Sequence, residues 1–420
     1  MARPPVAPSP HQIAALPPPR RGNGPFAALE VESFGLLWAS GWCWNATRWM
    51  SIFLCSFLVN DLTGSPFLVQ LVGAAFFAPM FVGGAVAGAV ADRFDRRKTI
   101  LRQILVLIPL AALMGILVTS GAASAWMVYP FMVAVGLGGV VDMTSRRALV
   151  FDLVGEERAT NALALESMSM AGGTTLGALF GGAVINFVGI GQAFFLIAML
   201  FVVSLILLTR VPSPPARTHI AASSMRADLL EGLRAVRRSR TLIGILGVTV
   251  IMNFFYFSFM PLVPVFAKEM GVNALLAGVL ASGTGLGMMI GSFTWAAWPV
   301  RRRGLLYVAG SALSMAFLFA FAAAQWYPLA LPLLIVAGFG SSAFGTMQGV
   351  LVMTSAGPEM RGRAMGVLSM AIGSLPFGMI GLGLVAQATD PALAVMISVV
   401  AGFVALALWM MRYPEVRTIR

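Results

Sequence analysis

Two ionisable residues, Arg48 and Glu166, lie inside long apolar stretches of the chain. Arg48 follows the start of its stretch by 14 residues, about 21 Å along a helix, and Glu166 follows the start of its own by seven. A charge inside a membrane is costly, so such a residue marks a candidate functional site. Because apolar surroundings favour a protonated carboxyl group, Glu166 is predicted to bind and release a coupling proton. The alternative is a structural role as the partner of a polar group on a neighbouring helix.

Arg48 has three interpretations from its position. It contacts an anionic substrate, forms an ion pair that modulates Glu166, or extends its side chain outward toward the membrane surface. Asn45 lies one helical turn before Arg48 and should share its face. In the second half of the chain, Asn253 lies at a similar depth with Tyr256 near it. We expect Asn45, Arg48, Asn253 and Tyr256 to bind substrate in a central cavity that also contains Glu166.

The composition indicates which elements position these residues. Hydrophobic residues make up 59% of the chain and charged residues 10%, against about 25% charged in a soluble domain. This balance excludes a disordered chain and a soluble enzyme, and it indicates an all-α protein that crosses a membrane many times. Each apolar run exceeds the roughly 17 residues that cross the hydrocarbon as a helix. The twelve predicted spans are residues 34–59, 67–91, 99–119, 125–144, 159–187, 191–208, 241–267, 274–298, 305–324, 329–353, 363–387 and 392–411.

The basic residues predict the orientation. All 28 Lys and Arg residues except Arg48 and Lys268 lie in the tails, the central linker or the loops on the same side as the tails. The positive-inside rule therefore places both termini in the cytosol, and it explains the net charge of +12 better than nucleic-acid binding does. The predicted regions are a disordered Pro-rich tail (1–25), an N-terminal six-helix bundle (26–208), a linker with a basic amphipathic helix (209–240), a C-terminal six-helix bundle (241–411) and a cytosolic tail (412–420). The short segment 26–32 is predicted to form an interfacial helix.

Several kinds of chemistry have no sequence support. The chain has two Cys and two His, so we predict neither a disulfide framework nor a metal site. It also contains no Gly-rich nucleotide loop ending in Gly-Lys-Ser/Thr. We therefore expect a protein that is not an enzyme, has no cofactor and uses a proton gradient as its energy source.

The two halves resemble each other. Gly88 after the second span corresponds to Gly291 after the eighth, and 157–162 corresponds to 359–364. Two related six-helix halves with a site between them are typical of secondary transporters.

The loop after the second span reads Gly88-Ala-Val-Ala-Asp92-Arg93-Phe-Asp95-Arg96-Arg97-Lys98. It resembles the loop motif of the major facilitator superfamily, with Asp95 at the position of the motif's second glycine. Shorter motifs resemble the branch of that superfamily that contains the enterobactin exporter and macrolide efflux proteins, and the similarity spans about residues 26–411. These motifs are Phe34-Gly-Leu-Leu-Trp38, Asp61-Leu-Thr-Gly-Ser-Pro66, Arg146-Arg-Ala-Leu, Asp152-Leu-Val, Asn161-Ala and Pro358-Glu-Met-Arg361-Gly-Arg363-Ala-Met-Gly366.

The resemblance implies a latch that holds the cytosolic gate closed in the outward-open state. Asp92 would accept hydrogen bonds at the N-terminus of the eleventh helix, and Arg96 or Arg97 would pair with Asp142. The expected latch residues are Gly88, Asp92, Arg96, Arg97, Asp142, Arg361 and Arg363. In the fifth span, Gly177-Ala178-Leu-Phe-Gly181-Gly182 resembles an exporter motif with Ala178 in place of its proline. Tight helix packing and an antiporter-specific role are equally compatible with these glycines.

The predicted function is proton-coupled export of an amphipathic small molecule, such as a drug, siderophore or other secondary metabolite, by alternating access. We expect a monomer in a bacterial cytoplasmic membrane, in contact with lipids and protons and not with nucleic acid. An importer or a lipid flippase on the same fold is the first alternative. A membrane sensor that binds ligand without transport is the second.

Overall fold

The computed structural model describes residues 26–93, 95–213, 234, 236–298, 300–357 and 360–419, with the helix path alone for 82–93. The predicted disordered tail and most of the predicted amphipathic linker helix lie outside these residues. Gly88 and Asp92 lie in the part of α2 for which only the helix path is described, so the contacts of these two residues are outside the described structure.

The described residues are almost entirely helical and contain no strand. Ten of the helices are long and apolar enough to cross a membrane. α1 and α2 are not among the ten; the apolar part of α2 described with side chains is Pro66–Phe81. The long helices are α1 (Glu32–Thr63), α2 (Pro66–Arg93), α3 (Arg96–Thr119), α4 (Ala125–Gly155), α5 (Asn161–Phe187), α6 (Ile190–Thr209), α7 (Arg240–Glu269), α8 (Ala274–Ala297), α9 (Arg303–Ala323), α10 (Tyr327–Ser355), α11 (Arg361–Ala388) and α12 (Pro391–Arg412). A short helix at Ala27–Glu30 precedes α1, and α13 (Glu415–Thr418) follows α12.

Successive helices run in opposite directions, so the bundle has two ends. The end at which α12 finishes, at Arg412, is called the inner end here, and the opposite end is called the outer end. At the inner end, Arg97 of α3 donates to the Leu208 carbonyl of α6, 3.0 Å away. The Gly304 amide of α9 donates to the Ile419 carbonyl there, 3.1 Å away. At the outer end, Ser65 Oγ donates to Gln387 Oε1 over 2.6 Å. Large apolar side chains face away from the bundle, as expected of a surface in contact with lipid; examples are Leu105, Leu113, Ile116, Phe180, Leu384 and Leu408.

Glycines set the distance between α1 and α5. A methyl group on Gly173 would lie 2.5 Å from the Asn45 side chain, and one on Gly177 would lie 2.6 Å from the Ala46 carbonyl oxygen. Those contacts are closer than carbon and oxygen atoms tolerate, so only glycine allows this approach. The predicted tight packing of the fifth helix is therefore confirmed at these two positions.

Three helices depart from the continuous spans predicted by the sequence. α7 is α-helical over Arg240–Ile251, widens to a π-helix over Met252–Tyr256, narrows to a 3-10 helix over Phe257–Leu262 and resumes at Val263. Pro261 lies in the narrow part and supplies no backbone N–H there, which is a recognised cause of such distortion. α11 is interrupted at 373–374. α4 extends past its predicted end at Thr144 to Gly155, where a φ of +72° ends it.

The two halves, α1–α6 and α7–α12, meet toward the outer end. On one side, α5 packs against α8, where a methyl group on Gly182 would lie 2.5 Å from the Ala274 carbonyl oxygen. On the other side, α2 packs against α11, where a methyl group on Gly383 would lie 2.9 Å from the Gln70 side chain. Lys268 lies 3.7 Å from Asp61 at the rim. These contacts close the outer end of the path between the halves.

Candidate functional site

An ion pair on α4 forms the centre of the N-terminal half. Arg146 and Asp142 are one turn apart, and each residue is 3% exposed. The Arg146 guanidinium donates from Nε to Asp142 Oδ2 over 2.9 Å and from Nη2 to Oδ1 over 2.8 Å. Its Nη1 donates to the Leu37 carbonyl and to Ser40 Oγ on α1, both 2.9 Å away. Each guanidinium nitrogen of Arg146 therefore has a hydrogen-bond partner on Asp142 or on α1.

Glu166 on α5 lies beside this ion pair. A methyl group on Gly41 of α1 would be 3.4 Å from Glu166 Oε1 and 3.4 Å from Arg146 Nη1, so the two side chains share the space over this glycine. The Oε1 atom is buried and accepts no hydrogen bond. Because Asp142 already neutralises Arg146, an ionised Glu166 gives this group of three residues one excess negative charge. Binding a proton removes the excess charge, so the site is suited to take up and release a proton.

Asn45 connects α1 to the same part of α5. Its side-chain amide donates to the Gly41 carbonyl over 3.0 Å and to Ser169 Oγ over 3.3 Å. Ser169 in turn donates to the Glu166 carbonyl over 2.9 Å. Asn45 is 6% exposed, so in this structure its amide supports the Glu166 turn of α5.

Arg48 occupies an unusual environment on α1. Its Nε is buried without a hydrogen-bond partner, and its guanidinium carbon lies 5.1 Å from the Trp49 ring centre and 5.7 Å from that of Phe76. These distances are typical of cation–π contacts. Across the described ranges, no carboxylate lies within ion-pair distance of Arg48. The ion pair with Glu166, one of the three interpretations of Arg48, is therefore absent from this structure.

The two predicted residues of the C-terminal half are packed inside that half. Asn253 donates to the Thr249 carbonyl over 2.8 Å, within the same helix. Tyr256 has no exposed surface, and its ring packs against Phe257 and Phe259. In this structure, therefore, Asn253 and Tyr256 do not line a central cavity with Asn45, Arg48 and Glu166, contrary to expectation.

A polar network in the C-terminal half was missed by the sequence analysis. Gln348 of α10 donates to Thr249 Oγ1 over 3.2 Å, and the Thr249 and Tyr307 hydroxyls are 3.0 Å apart. The three side chains come from α7, α9 and α10. Each lies inside a predicted apolar span, and that position was the only available signal.

A small cavity lies between the halves, toward the outer end. Its volume is about 40 Å³, which is enough for a few water molecules and too small for a cargo molecule. Its lining comes from both halves and includes Trp49, Thr174, Phe259, Met260, Ala281 and Thr284. In this state, the path is narrow on the outer side of Glu166.

Comparison with known proteins identifies the fold that carries this site. The family model described as Major Facilitator Superfamily matches residues 37–379 and again residues 248–418. The chain belongs to the Major Facilitator Superfamily. It is therefore a membrane transporter and not an enzyme.

Among its relatives in the superfamily is the enterobactin exporter EntS of Shigella flexneri, 26% identical over 329 residues and covering 75% of each chain. An uncharacterized MFS-type transporter, YfiS of Bacillus subtilis (strain 168), is 24% identical over 235 residues and covers 55% of each chain. A bacterial homolog of the human lysosomal transporter Spinster, in an inward-facing and unoccupied conformation, superimposes with a TM-score of 0.69 at 18% identity, covering 92% of this chain and 98% of that one. A D-xylose-proton symporter superimposes with a TM-score of 0.70 at 14% identity, covering 93% and 99%. The two structures share the superfamily fold with this chain.

The predicted superfamily latch has different partners from those expected. Arg96 forms its ion pair with Asp152, and Asp142 forms its pair with Arg146. The pairing of Arg96 or Arg97 with Asp142, which the resemblance implies for the outward-open state, is therefore absent from this structure, whose outer end is closed. Because α4 continues to Gly155, Asp152 and not Asp142 is the acidic residue of α4 that meets the start of α3.

Two residues of the predicted latch lie at the start of α11 and contact the chain nearby. Arg361 donates from Nε to the Met353 carbonyl over 3.2 Å, and Arg363 Nη1 lies 3.5 Å from the Met360 sulfur. Both contacts stay at the inner ends of α10 and α11, in a structure whose outer end is closed.

Proposed function

We propose that this superfamily member is a proton-coupled exporter of an amphipathic small molecule. The observation that carries the proposal is the buried Glu166 Oε1, which has no partner beside the completed Arg146–Asp142 ion pair. A carboxylate in that position has a strong electrostatic reason to bind a proton, because its Oε1 is buried without a hydrogen bond and the neighbouring Arg146 is already paired with Asp142. The export direction is supported by the enterobactin exporters among the relatives.

The position of Glu166 links proton binding to the gate. α5 carries Glu166 near its inner end and Gly182 at its outer contact with α8. A change of charge at Glu166 alters how α5 packs against α1 and α4, and the same helix seals the outer end. In the proposed cycle, the cargo enters from the inner end while the outer contact is closed, and proton uptake from outside follows its release.

The cargo site proposed on this fold keeps the four predicted residues, Asn45, Arg48, Asn253 and Tyr256. Arg48 is a contact for an electron-rich or anionic part of the cargo, or a positioning charge for the proton site. Asn253 and Tyr256 lie on the distorted part of α7, so a change of its π and 3-10 turns would bring them to the path. This role rests on their place in the chain and on the irregular geometry of α7.

The remaining arrangement is proposed with the function. α1 and α2 complete twelve spans in two six-helix bundles, with both termini in the cytosol of a bacterial cell and the protein in its inner membrane. The chain works as a monomer, in contact with lipids, without a cofactor and with the proton gradient as its energy source. Gly88, Asp92, Arg96, Arg97, Asp142, Arg361 and Arg363 contribute to a cytosolic latch in the outward-open state.

The decisive experiment measures the retention of a fluorescent dye panel in pump-deficient bacteria that produce the intact chain. We expect lowered retention that a protonophore abolishes and that Glu166→Gln also abolishes. Glu32→Gln, at the exposed first residue of α1, is the matched control and should transport normally. Efflux that survives Glu166→Gln would assign the proton to another carboxylate.

Other outcomes distinguish the rival functions. Gradient-dependent accumulation of dye would indicate an importer on this fold. Headgroup-labelled lipid that moves between leaflets would indicate a flippase. Binding of a panel compound to the purified chain, without flux into proteoliposomes, would indicate a sensor.

A further inference from the structure

The C-terminal half has an open cleft at its inner end, away from the proton site. It lies between the α8–α9 connection and α10 and has a volume of about 480 Å³. Aromatic, cationic and apolar side chains line it together, namely Trp295, Trp298, Val300, Arg303, Met347 and Val350. A cleft of this size can contain a small ligand or the polar end of a larger one.

Arg303 lines the cleft, and Arg301 and Arg302 precede it directly in the chain. Arg301 and Arg302 are exposed, and Arg303 is partly buried in the cleft wall. None of the three forms an ion pair within the part of the chain that the structure describes. By contrast, Arg96 and Arg240 at the same end each contact a carboxylate. The cleft therefore has a local excess of positive charge with no protein counter-ion among the described residues.

A fixed aromatic wall and an apolar surface lie next to this charge. Trp295 Nε1 donates to Ser342 Oγ over 2.8 Å, and its ring packs 5.1 Å from the Phe339 ring, so Trp295 is held in place. Trp298 is 70% exposed at the rim. Toward the middle of the bundle, the exposed residues Ile290 and Phe293 of α8 continue the surface. Cationic residues, then tryptophan, then apolar side chains follow one another along this surface, which is the order found across a membrane interface.

We propose that this cleft binds the headgroup of an anionic phospholipid of the inner leaflet. The phosphate lies among Arg301, Arg302 and Arg303, and Trp298 packs beside the glycerol region. The acyl chains run along the exposed apolar side chains of α8. Charge complementarity selects an anionic lipid over a zwitterionic one, because Arg303 in the cleft and the adjacent Arg301 and Arg302 have no acidic partner among the residues that the structure describes. The lipid thereby fixes the α8–α9 connection against α10 at the inner surface.

The test counts lipids bound to the intact purified chain by native mass spectrometry, with dioleoyl phosphatidylglycerol and dioleoyl phosphatidylcholine as probes. The site variant is the triple substitution Arg301→Gln, Arg302→Gln and Arg303→Gln. The control is Arg234→Gln, Arg237→Gln and Arg238→Gln, which removes the same charge from exposed residues elsewhere at the inner end. We expect phosphatidylglycerol binding to weaken at least tenfold in the site variant and to stay within twofold in the control. Trp298→Ala should weaken binding by a smaller factor.

Three results would overturn the proposal. Equal losses in the two triple variants would show a diffuse effect of surface charge. Equal affinity for the two lipids would show no headgroup selection. Binding of glycerol 3-phosphate as tight as that of phosphatidylglycerol would show a site for a soluble phosphate ester. If the triple site variant shows no cooperative unfolding on heating, it is misfolded. The double variant Arg303→Gln with Trp298→Ala then replaces it, and the same loss of phosphatidylglycerol binding is expected with less loss of charge.

Discussion

Asp142 and Arg146 neutralise each other inside the N-terminal half through a two-point contact within a single helix. The pair also bonds to α1, because Arg146 reaches the Leu37 carbonyl and Ser40. It therefore joins two helices while leaving Glu166 without a partner of its own. Charge balance around Glu166 depends on this pair remaining intact.

Removing one member of the pair should destabilise the protein strongly. Asp142→Asn removes the carboxylate that contacts the buried Arg146 at two points, and Glu166 beside it makes no hydrogen bond to Arg146 in its place. We expect a loss of about 3–5 kcal/mol in the free energy of unfolding. Thermal unfolding in detergent micelles measures this effect. Asp152→Asn is the comparison, because its partner Arg96 is 25% exposed and solvent compensates part of the loss.

A double variant separates charge from packing at this site. Asp142→Leu with Arg146→Leu removes both charges together, so it should be more stable than Asp142→Asn alone. If the double variant is the less stable of the two, the hydrogen bonds of Arg146 to α1, rather than the uncompensated charge, dominate the contribution of the pair.

Arg48 should show a conflict between stability and function. Its unpaired Nε is buried, so Arg48→Met should raise the free energy of unfolding by about 1–3 kcal/mol. The same change should abolish transport of any cargo that needs the guanidinium. The melting temperature and the flux of cargo into vesicles are measured on the same preparation of Arg48→Met and compared with those of the unchanged protein. An unstable Arg48→Met protein would mean that the contacts with Trp49 and Phe76 outweigh the cost of burying the charge.

The sequence predicts the helices well, because apolar runs of this length have one stable form in a membrane. Glu166 and Arg48 were found because each is a charge inside such a run. Arg146 was not predicted to be buried because the fourth span was expected to end at Thr144. The structure continues α4 to Gly155, which places Arg146 inside the helix and within reach of α1.

Geometry between distant residues was the part that the sequence could not supply. Asp142 and Asp152 are both acidic residues of α4, and only the length of the helix decides which one meets Arg96. The distortion of α7 at Met252–Leu262 was hidden because the segment continues the apolar run on either side of it, with only Asn253 and Ser258 as short polar side chains. Pro261 was the one local signal of it.

The C-terminal tail should loosen in acid. A hydrogen bond from its own backbone, followed by one from the Arg240 guanidinium, holds the pKa of the Glu415 carboxyl below its usual value of 4.5. Because the pKa is lowered in the folded state, the contact is fully formed above pH 4.5. It is lost as the pH falls through the lowered pKa of the folded protein. A spin label on Thr418→Cys, with Cys43 and Cys55 replaced, should become mobile below about pH 4.5. With Glu415→Gln the label should be mobile at every pH; a label that is equally rigid in the two proteins would show that the burial of Val416 holds the tail alone.

The contact of Gly182 with α8 should control the outer gate. A methyl group at this position would lie 2.5 Å from the Ala274 carbonyl oxygen and 2.7 Å from the Gly278 Cα, so Gly182→Ala prevents α5 and α8 from closing fully. The population should shift toward an open outer end, since only the closed state contains the clash. We expect a cysteine at Thr174, which lines the outer cavity, to react several-fold faster with a charged maleimide from outside, in a background without Cys43 and Cys55. Gly139→Ala is the matched control, because a methyl group there meets nothing within 4 Å and should leave the reaction unchanged. An unchanged labelling rate in Gly182→Ala would show that α8 yields locally and that the seal lies instead at the α2–α11 contact.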